Sequence, residues 1–263
     1  YQAAQFGRQI FQNGTYVPLS IAFIQETTVF REFGPLAGNT MRLSYEVSPA
    51  IGNMLSRQTA DADLRYYLRL YGSNLLALRA KGFKSWGDAP TFNYFGGNSE
   101  MRGYEYLEFI GSETAFFNAE LRFPFIEAML TPIGVLGGVR GVLFANIGGG
   151  SFEGQPFRWW TNSPETHSPV IGFIQSPTSQ GPIFGPPTPV EGFRLIDARA
   201  SYGLGLETFA FGFPVHFDWA WRTLFNKNWE DLRFAADATA AGIIGGSSWF
   251  RKPKFQVWIG YDF

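Results

Sequence analysis

Side chains able to do acid–base or nucleophilic chemistry are few in this sequence. There are two histidines, His167 and His216, and no cysteine. A histidine metal cage, a thiolate metal site, a disulfide and a cysteine nucleophile are therefore excluded. His216 and Asp218 lie two residues apart, so on a strand they share a face and a His–Asp pair is sterically allowed. A hydrolase also needs a nucleophile beside its base, and no serine stands in such a context. The pair reads more simply as a hydrogen-bond contact, and His167 falls in a proline-rich stretch. No catalytic residue, metal site or cofactor is expected. The glycine groups Gly96-Gly97, Gly148-Gly149-Gly150 and Gly245-Gly246 precede no helical pattern and carry no phosphate-loop lysine, so they read as turn and bulge residues. Arg42 with Glu46 and Glu120 with Arg122 read as solvated lumen or wall contacts.

The elements that hold these residues follow from where the apolar side chains face. In 263 residues, 21 Lys and Arg oppose 22 Asp and Glu, a net charge of -1 that excludes a basic nucleic-acid binder. Charged residues are 16% of the chain, against about 25% in soluble domains. Aromatic residues reach 18%, with 28 Phe, and mean hydropathy is -0.07. No stretch approaches the roughly 18 consecutive apolar residues of a spanning helix, which leaves a closed β-barrel as the spanning form.

Period-two alternation supports that form. Asp61 to Tyr71 sets Asp61, Asp63, Arg65, Tyr67 and Arg69 against Ala62, Leu64, Tyr66, Leu68 and Leu70. Thr40 to Val47, Phe117 to Phe125, Pro214 to Arg222 and Lys254 to Phe263 alternate as cleanly. Looser strands are expected at Tyr16–Phe30, Asn74–Lys84, Val139–Gly148 and Ala198–Phe209, nine in all. Connections alternate short and long. The expected organisation is a lead-in or partial strand at 1–15, then a barrel domain at 16–263 with long extracellular loops at 85–114, 149–197 and 223–253. The 149–197 stretch holds eight of the 16 prolines and reads as an irregular surface loop, not a strand pair. Trp219, Trp221, Trp229, Trp249 and Trp258 are candidates for interfacial girdles. Tyr1 is preceded by no basic-then-apolar leader, so a signal peptide is expected to have been removed or to lie upstream. A soluble barrel or sandwich alternates too. The large aromatics on the apolar faces and the opposed charges on the polar faces favour lipid outside and a wet lumen.

Four motifs in order add a resemblance. Met101-Arg102-Gly103-Tyr104, within Gly96 to Tyr104, resembles the apolar-Arg-Gly-aromatic loop tetrad of the BamA-, TamA- and FhaC-type superfamily of outer-membrane assembly and secretion barrels (the bacterial surface antigen barrel domain). Asn118 to Pro124 is similar to its Glu-Leu-Arg-Phe-Pro strand, Gly141 to Gly148 to its Phe-x-Asp-x-Gly strand, and Ala200 to Glu207 to its Gly-x-Gly strand. The chain also ends in Phe, as the family does. Two positions depart from the pattern: Asn146 stands in place of the Asp, and Trp258 where a Gly is common.

The resemblance implies an all-β, transmembrane, antiparallel up-and-down barrel, of which this chain supplies about nine strands, the C-terminal half of sixteen. It implies that the loop carrying Arg102 folds into the lumen, where a guanidinium that cannot lose its proton needs an acceptor. Glu120 is the expected carboxylate partner and Asn146 a neutral one. Phe255, Val257, Ile259, Tyr261 and Phe263 resemble the C-terminal signal read by the cell's barrel-assembly machinery. The implied setting is integral in the bacterial outer membrane. The implied partners are lipopolysaccharide or phospholipid, that machinery and other envelope proteins, with no nucleic acid. The implied activity is non-enzymatic: assistance to outer-membrane protein insertion or polypeptide translocation. The alternative is a non-catalytic anchor or structural subunit of an envelope assembly, which the lack of periplasmic transport domains ahead of the barrel favours.

Overall fold

The computed structural model describes residues 14–31, 34–126, 129–131, 134–136, 138–176, 179–210, 213–240, 242 and 246–260. Nine strands form where the alternation places them: β1 (Leu19–Glu26), β2 (Gly34–Ser48), β3 (Arg57–Arg69), β4 (Leu75–Trp86), β5 (Glu113–Ile126), β6 (Val139–Ser151), β7 (Arg199–Ala210), β8 (Phe213–Thr223) and β9 (Lys254–Ile259). Each pairs antiparallel with the next, the order of an up-and-down meander. Val29–Arg31 prolongs β1 along β2 after a break at Thr27 and Thr28. There Thr27 donates its N–H to the Asn39 carbonyl at 2.9 Å. Gly38 takes φ 104° beside it, and a β-carbon at Gly38 would overlap the Thr27 carbonyl, so only glycine permits this bulge. Among the described residues β1 and β9 do not pair, so the sheet is an open part of a barrel.

Burial along the strands is inverted relative to a soluble barrel. On β5, Asn118, Glu120 and Arg122 are buried while Phe117 and Phe125 are exposed; on β7, Ser201 and Glu207 are buried while Tyr202 and Leu204 are exposed. Leu19, Ile21, Phe23, Leu43, Leu64, Leu68, Leu143, Phe255, Val257 and Ile259 continue the exposed apolar belt. An outer surface this continuously apolar exceeds what a soluble monomer tolerates, whereas lipid as solvent requires it. The soluble alternative fails on this observation. No helix among the described residues is long and apolar enough to cross a membrane.

The two rims differ. Tight connections join β3 to β4, where Leu70 donates to the Asn74 carbonyl at 2.9 Å, and β7 to β8; a short hairpin, Met129–Thr131 with Gly134–Leu136, joins β5 to β6. The opposite rim carries the long connections. The one between β6 and β7 corrects the sequence reading of 149–197 as an irregular loop. Trp160–Thr161 pairs with Arg194–Leu195, Glu165–His167 with Thr188–Val190, and Val170–Ser176 with Ser179–Phe184, so the segment is one long hairpin. A two-stranded ribbon has two free edges. Pro182 and Pro189 therefore forfeit no bond to a further strand, and the proline count misleads.

The connection between β8 and β9 contains helices α1 (Lys227–Ala240) and α2 (Ser247–Arg251), which the sequence reading treated only as loop. Asn226 caps α1, its Oδ1 accepting the Trp229 N–H at 3.1 Å. Trp229, Phe234 and Leu224 pack with Val190, Leu195 and Ile196 into an apolar core in this cap that reaches Ala200 at the end of β7. Two of the expected girdle tryptophans are corrected accordingly. Trp229 is buried and donates its indole N–H to the Leu195 carbonyl at 2.6 Å. Trp258 is on the inward face of β9, stacked on His216 at 3.7 Å.

Candidate functional site

The loop between β4 and β5 rises as a short hairpin, Asn93–Phe95 with Phe109–Gly111, and turns back so that its tip enters the concave side of the sheet. Phe95 stacks on Phe109 and on Phe116 of β5, with centroids 4.9 and 5.2 Å apart. Met101 and Tyr104 complete this wedge, and both are buried. Apolar packing thus carries the tip to the wall, and the polar groups beside it fix its position.

Arg102 is the centre of those polar groups, with a side chain only 2% exposed. Its Nη2 donates to Glu120 Oε1 at 2.8 Å, and its Nε is 3.3 Å from Asp218 Oδ2 and 3.0 Å from the Asn98 carbonyl. The guanidinium lies over the Phe144 ring at 4.6 Å. Glu120 comes from β5, Phe144 from β6 and Asp218 from β8, so one loop side chain engages three wall strands. Both carboxylates are further held by the wall. Arg122 donates to Glu120 Oε2 through Nε at 2.9 Å and Nη2 at 2.8 Å, and the Trp258 indole donates to Asp218 Oδ2 at 2.7 Å. The neighbouring strand makes room: Gly205 of β7 pairs directly with Asp218, and a β-carbon on it would overlap the Asp218 carboxylate.

The remaining tetrad residues are held as closely. Gly103 donates its N–H to Gln256 Oε1 on β9 at 3.1 Å, and its carbonyl accepts from Arg222 Nε on β8 at 2.6 Å. The Tyr104 hydroxyl donates to the Ala200 carbonyl at 3.0 Å. On the other side of the tip, Asn118 donates to the Glu100 carbonyl and to Asn146 Oδ1, and Asn146 donates to Ser201 Oγ at 3.1 Å. Lys254 of β9 reaches Glu105 Oε1 at 2.6 Å. Chemically this is a pin. An always-charged donor sits between two carboxylates in a site too buried for water to replace them.

The structure thus brings Met101, Arg102, Gly103, Tyr104 and Glu120 together. Asn146 joins them one residue removed, since its bonds run to Asn118 and Ser201 and its link to the loop passes through Asn118. Asp218, Arg222, Gln256 and Trp258 belong to the site and were not read as its parts. Asp218 was legible only as an inward residue, because two-residue spacing with His216 shows a shared face but not the strand across the lumen. His216 itself meets the Gly260 carbonyl through Nε2 at 2.9 Å. Phe255, Val257 and Ile259 point outward and are exposed; Tyr261 and Phe263 lie outside the described residues. The described residues hold no group of three or more candidate metal-binding side chains.

The model of the Omp85 superfamily domain matches residues 27–263, nearly the whole sheet and every loop described above. The chain belongs to the Omp85 superfamily. No curated protein matches it closely enough to add a nearer relative. Membership agrees with the inverted burial and the meander of strands, and it makes the protein BamA-like, of a non-enzymatic outer-membrane barrel and transport family. The strand count and the open sheet are those of part of an Omp85 barrel.

Proposed function

We propose that this Omp85 protein is integral in the bacterial outer membrane and assists the insertion of other outer-membrane proteins or the passage of polypeptides, with the loop of Met101 to Tyr104 as the plug of its lumen. The observation that carries this reading is the buried Arg102 between Glu120 and Asp218. Desolvating a guanidinium and two carboxylates is costly, and a scaffold that only anchors something else has no use for a charged loop pinned across three strands. The C-terminal residues Phe255 to Phe263 would be read by the host's barrel-assembly machinery as this protein's own insertion signal. Depletion of the full-length protein in its host tests the function. The folded, heat-modifiable fractions of other outer-membrane proteins should fall, or exported polypeptides should accumulate inside. If neither changes while a co-purifying envelope assembly is lost, the protein is an anchor.

A further inference from the structure

The outer face of the sheet is not uniformly covered by large side chains. Strand register aligns three outward rows beneath the long-loop rim. The upper row runs Tyr45, Ala60, Lys84, Glu113, Ser151; the middle row Leu43, Ala62, Gly82, Ala115, Gly149; the lower row Met41, Leu64, Ala80, Phe117, Ile147. The middle row has four small residues in succession across β3 to β6. Five strands at about 4.8 Å spacing make it roughly 19 Å long. Large side chains bound it below and at one end, and a charged pair lies above.

A strap from the β6–β7 connection closes the other end. Phe157 sits where a β-carbon on Gly149 would be, and the Phe157 and Trp159 rings meet edge to face at 5.1 Å. The strap is fixed to 196–197. Ile196 donates to the Trp159 carbonyl at 3.2 Å, Asp197 to the Arg158 carbonyl at 3.0 Å, and the Arg158 N–H to Asp197 Oδ2 at 2.8 Å. Between strap and sheet lies a cleft of about 730 Å³. Its floor is small side chains, its wall is aromatic, and the charged residues lining it are Lys84, Glu113 and Asp61.

We propose that this cleft holds an acyl chain of lipid A in the outer leaflet, with a lipid A phosphate beside Lys84. The inference rests on the membrane reading above, under which the medium against this face is hydrocarbon. The rows lie at the rim of long loops, the extracellular rim of such barrels, so the leaflet in reach is the outer one. Strands tilted by about 35–45° incline the trough, and a chain in it descends from the rim into the bilayer. Lys84 is bonded to Glu113 at 2.8 Å, but the two side chains are 56% and 38% exposed. An ion pair that open contributes little, so the ammonium can swing to a phosphate while Glu113, itself exposed, turns away into water.

The test uses the full chain in phosphatidylethanolamine–phosphatidylglycerol vesicles containing hexa-acylated lipid A, extracted into mild detergent and weighed by native mass spectrometry. Wild type should retain lipid A. Gly82→Leu should lower the retained fraction about tenfold, the change for roughly two methylenes turned out of an apolar site. A β-carbon at Gly82 meets nothing within 4 Å, so the fold accommodates this variant. Ala115→Leu fills the same row if Gly82→Leu gives no heat-modifiable band. Lys84→Glu should also lower retention. Equal retention by wild type and the filled variants, or retention of phosphatidylglycerol in place of lipid A, overturns the proposal. Brominated-chain phospholipid separates its failure from that of the membrane reading. Quenching of tryptophan fluorescence with no retained lipid A sinks only the cleft, whereas absence of quenching sinks both.

Discussion

Glu120→Gln and Arg102→Met, alone and combined, measure what the loop pin contributes. The arrangement is asymmetric. Arg102 retains Asp218 and the Asn98 carbonyl when Glu120 is neutralised, but Glu120→Gln leaves two buried guanidinium groups, Arg102 and Arg122, facing an amide. Removing one partner of a buried ion pair costs about 3–5 kcal/mol, and a charge-assisted hydrogen bond contributes about 1.5–3 kcal/mol. Glu120→Gln should therefore destabilise the protein by about 3 kcal/mol or more, Arg102→Met by less, and the double-mutant cycle should show coupling of roughly 1.5–3 kcal/mol. Urea unfolding in detergent micelles, followed by the heat-modifiable band shift, gives these energies. Release of the loop needs a separate readout, and the chain's lack of cysteine supplies one. Met101→Cys would be the sole thiol, buried beside the pin, and its maleimide labelling should accelerate in either single variant. Zero coupling, or labelling as slow in the variants as in their parent, would refute the pin.

Other outcomes follow from the same geometry. Leu204→Arg, on the exposed belt, should cost about 2–4 kcal/mol of folded barrel, while Asp61→Arg on the inward face should leave the heat-modifiable band intact. Trp258→Phe removes the indole donor to Asp218 and should lower unfolding stability by about 1.5–3 kcal/mol, with no change if the indole only packs on His216. Deleting Phe263 should reduce assembly in cells far more than refolding into detergent; an equal loss in both would make it a packing residue alone. In the hairpin, the Arg158 guanidinium beside Glu165, with Arg194 adding to it, holds this carboxyl below its ordinary range. Its contribution is present above the unfolded carboxylate range and is lost as pH falls through the lower, folded value. Proteolysis of the hairpin should accelerate only in acid, and Glu165→Gln should abolish that pH dependence.

What the sequence disclosed was what depends on period and sign. Nine strands could be read because an apolar side chain every second residue has one meaning in a chain with so few charges, and Glu120 because it shares a face with Asn118 and Arg122 on the strand after the loop. What it hid depends on closure. Asp218 and Gln256 meet residue 102 and its neighbour across more than a hundred residues of chain, and no local pattern encodes which inward positions face one another. The hairpin of 160–195 was hidden because proline in a ribbon, with free edges on both sides, obeys different limits from proline in a sheet interior. Helix α1 was hidden because four of its seven apolar residues are alanines, which mark no clear stripe beside Trp229, Leu232 and Phe234.

The bond from the Gly103 N–H to Gln256 joins residues 153 apart in sequence. It has a kinetic meaning, because a contact that closes so long a loop cannot form until both ends of that loop are placed. The tip of the β4–β5 loop is complete before β9, and its acceptors on β8 and β9 follow more than a hundred residues later. During assembly the wall must therefore form around an unseated loop, with Arg102 still hydrated and the lumen open. Seating then becomes the closing step, slow and separable from strand pairing. In a refolding experiment it would appear as a phase that lags the gain of β-structure and is lost when Gln256 and Asp218 are removed together.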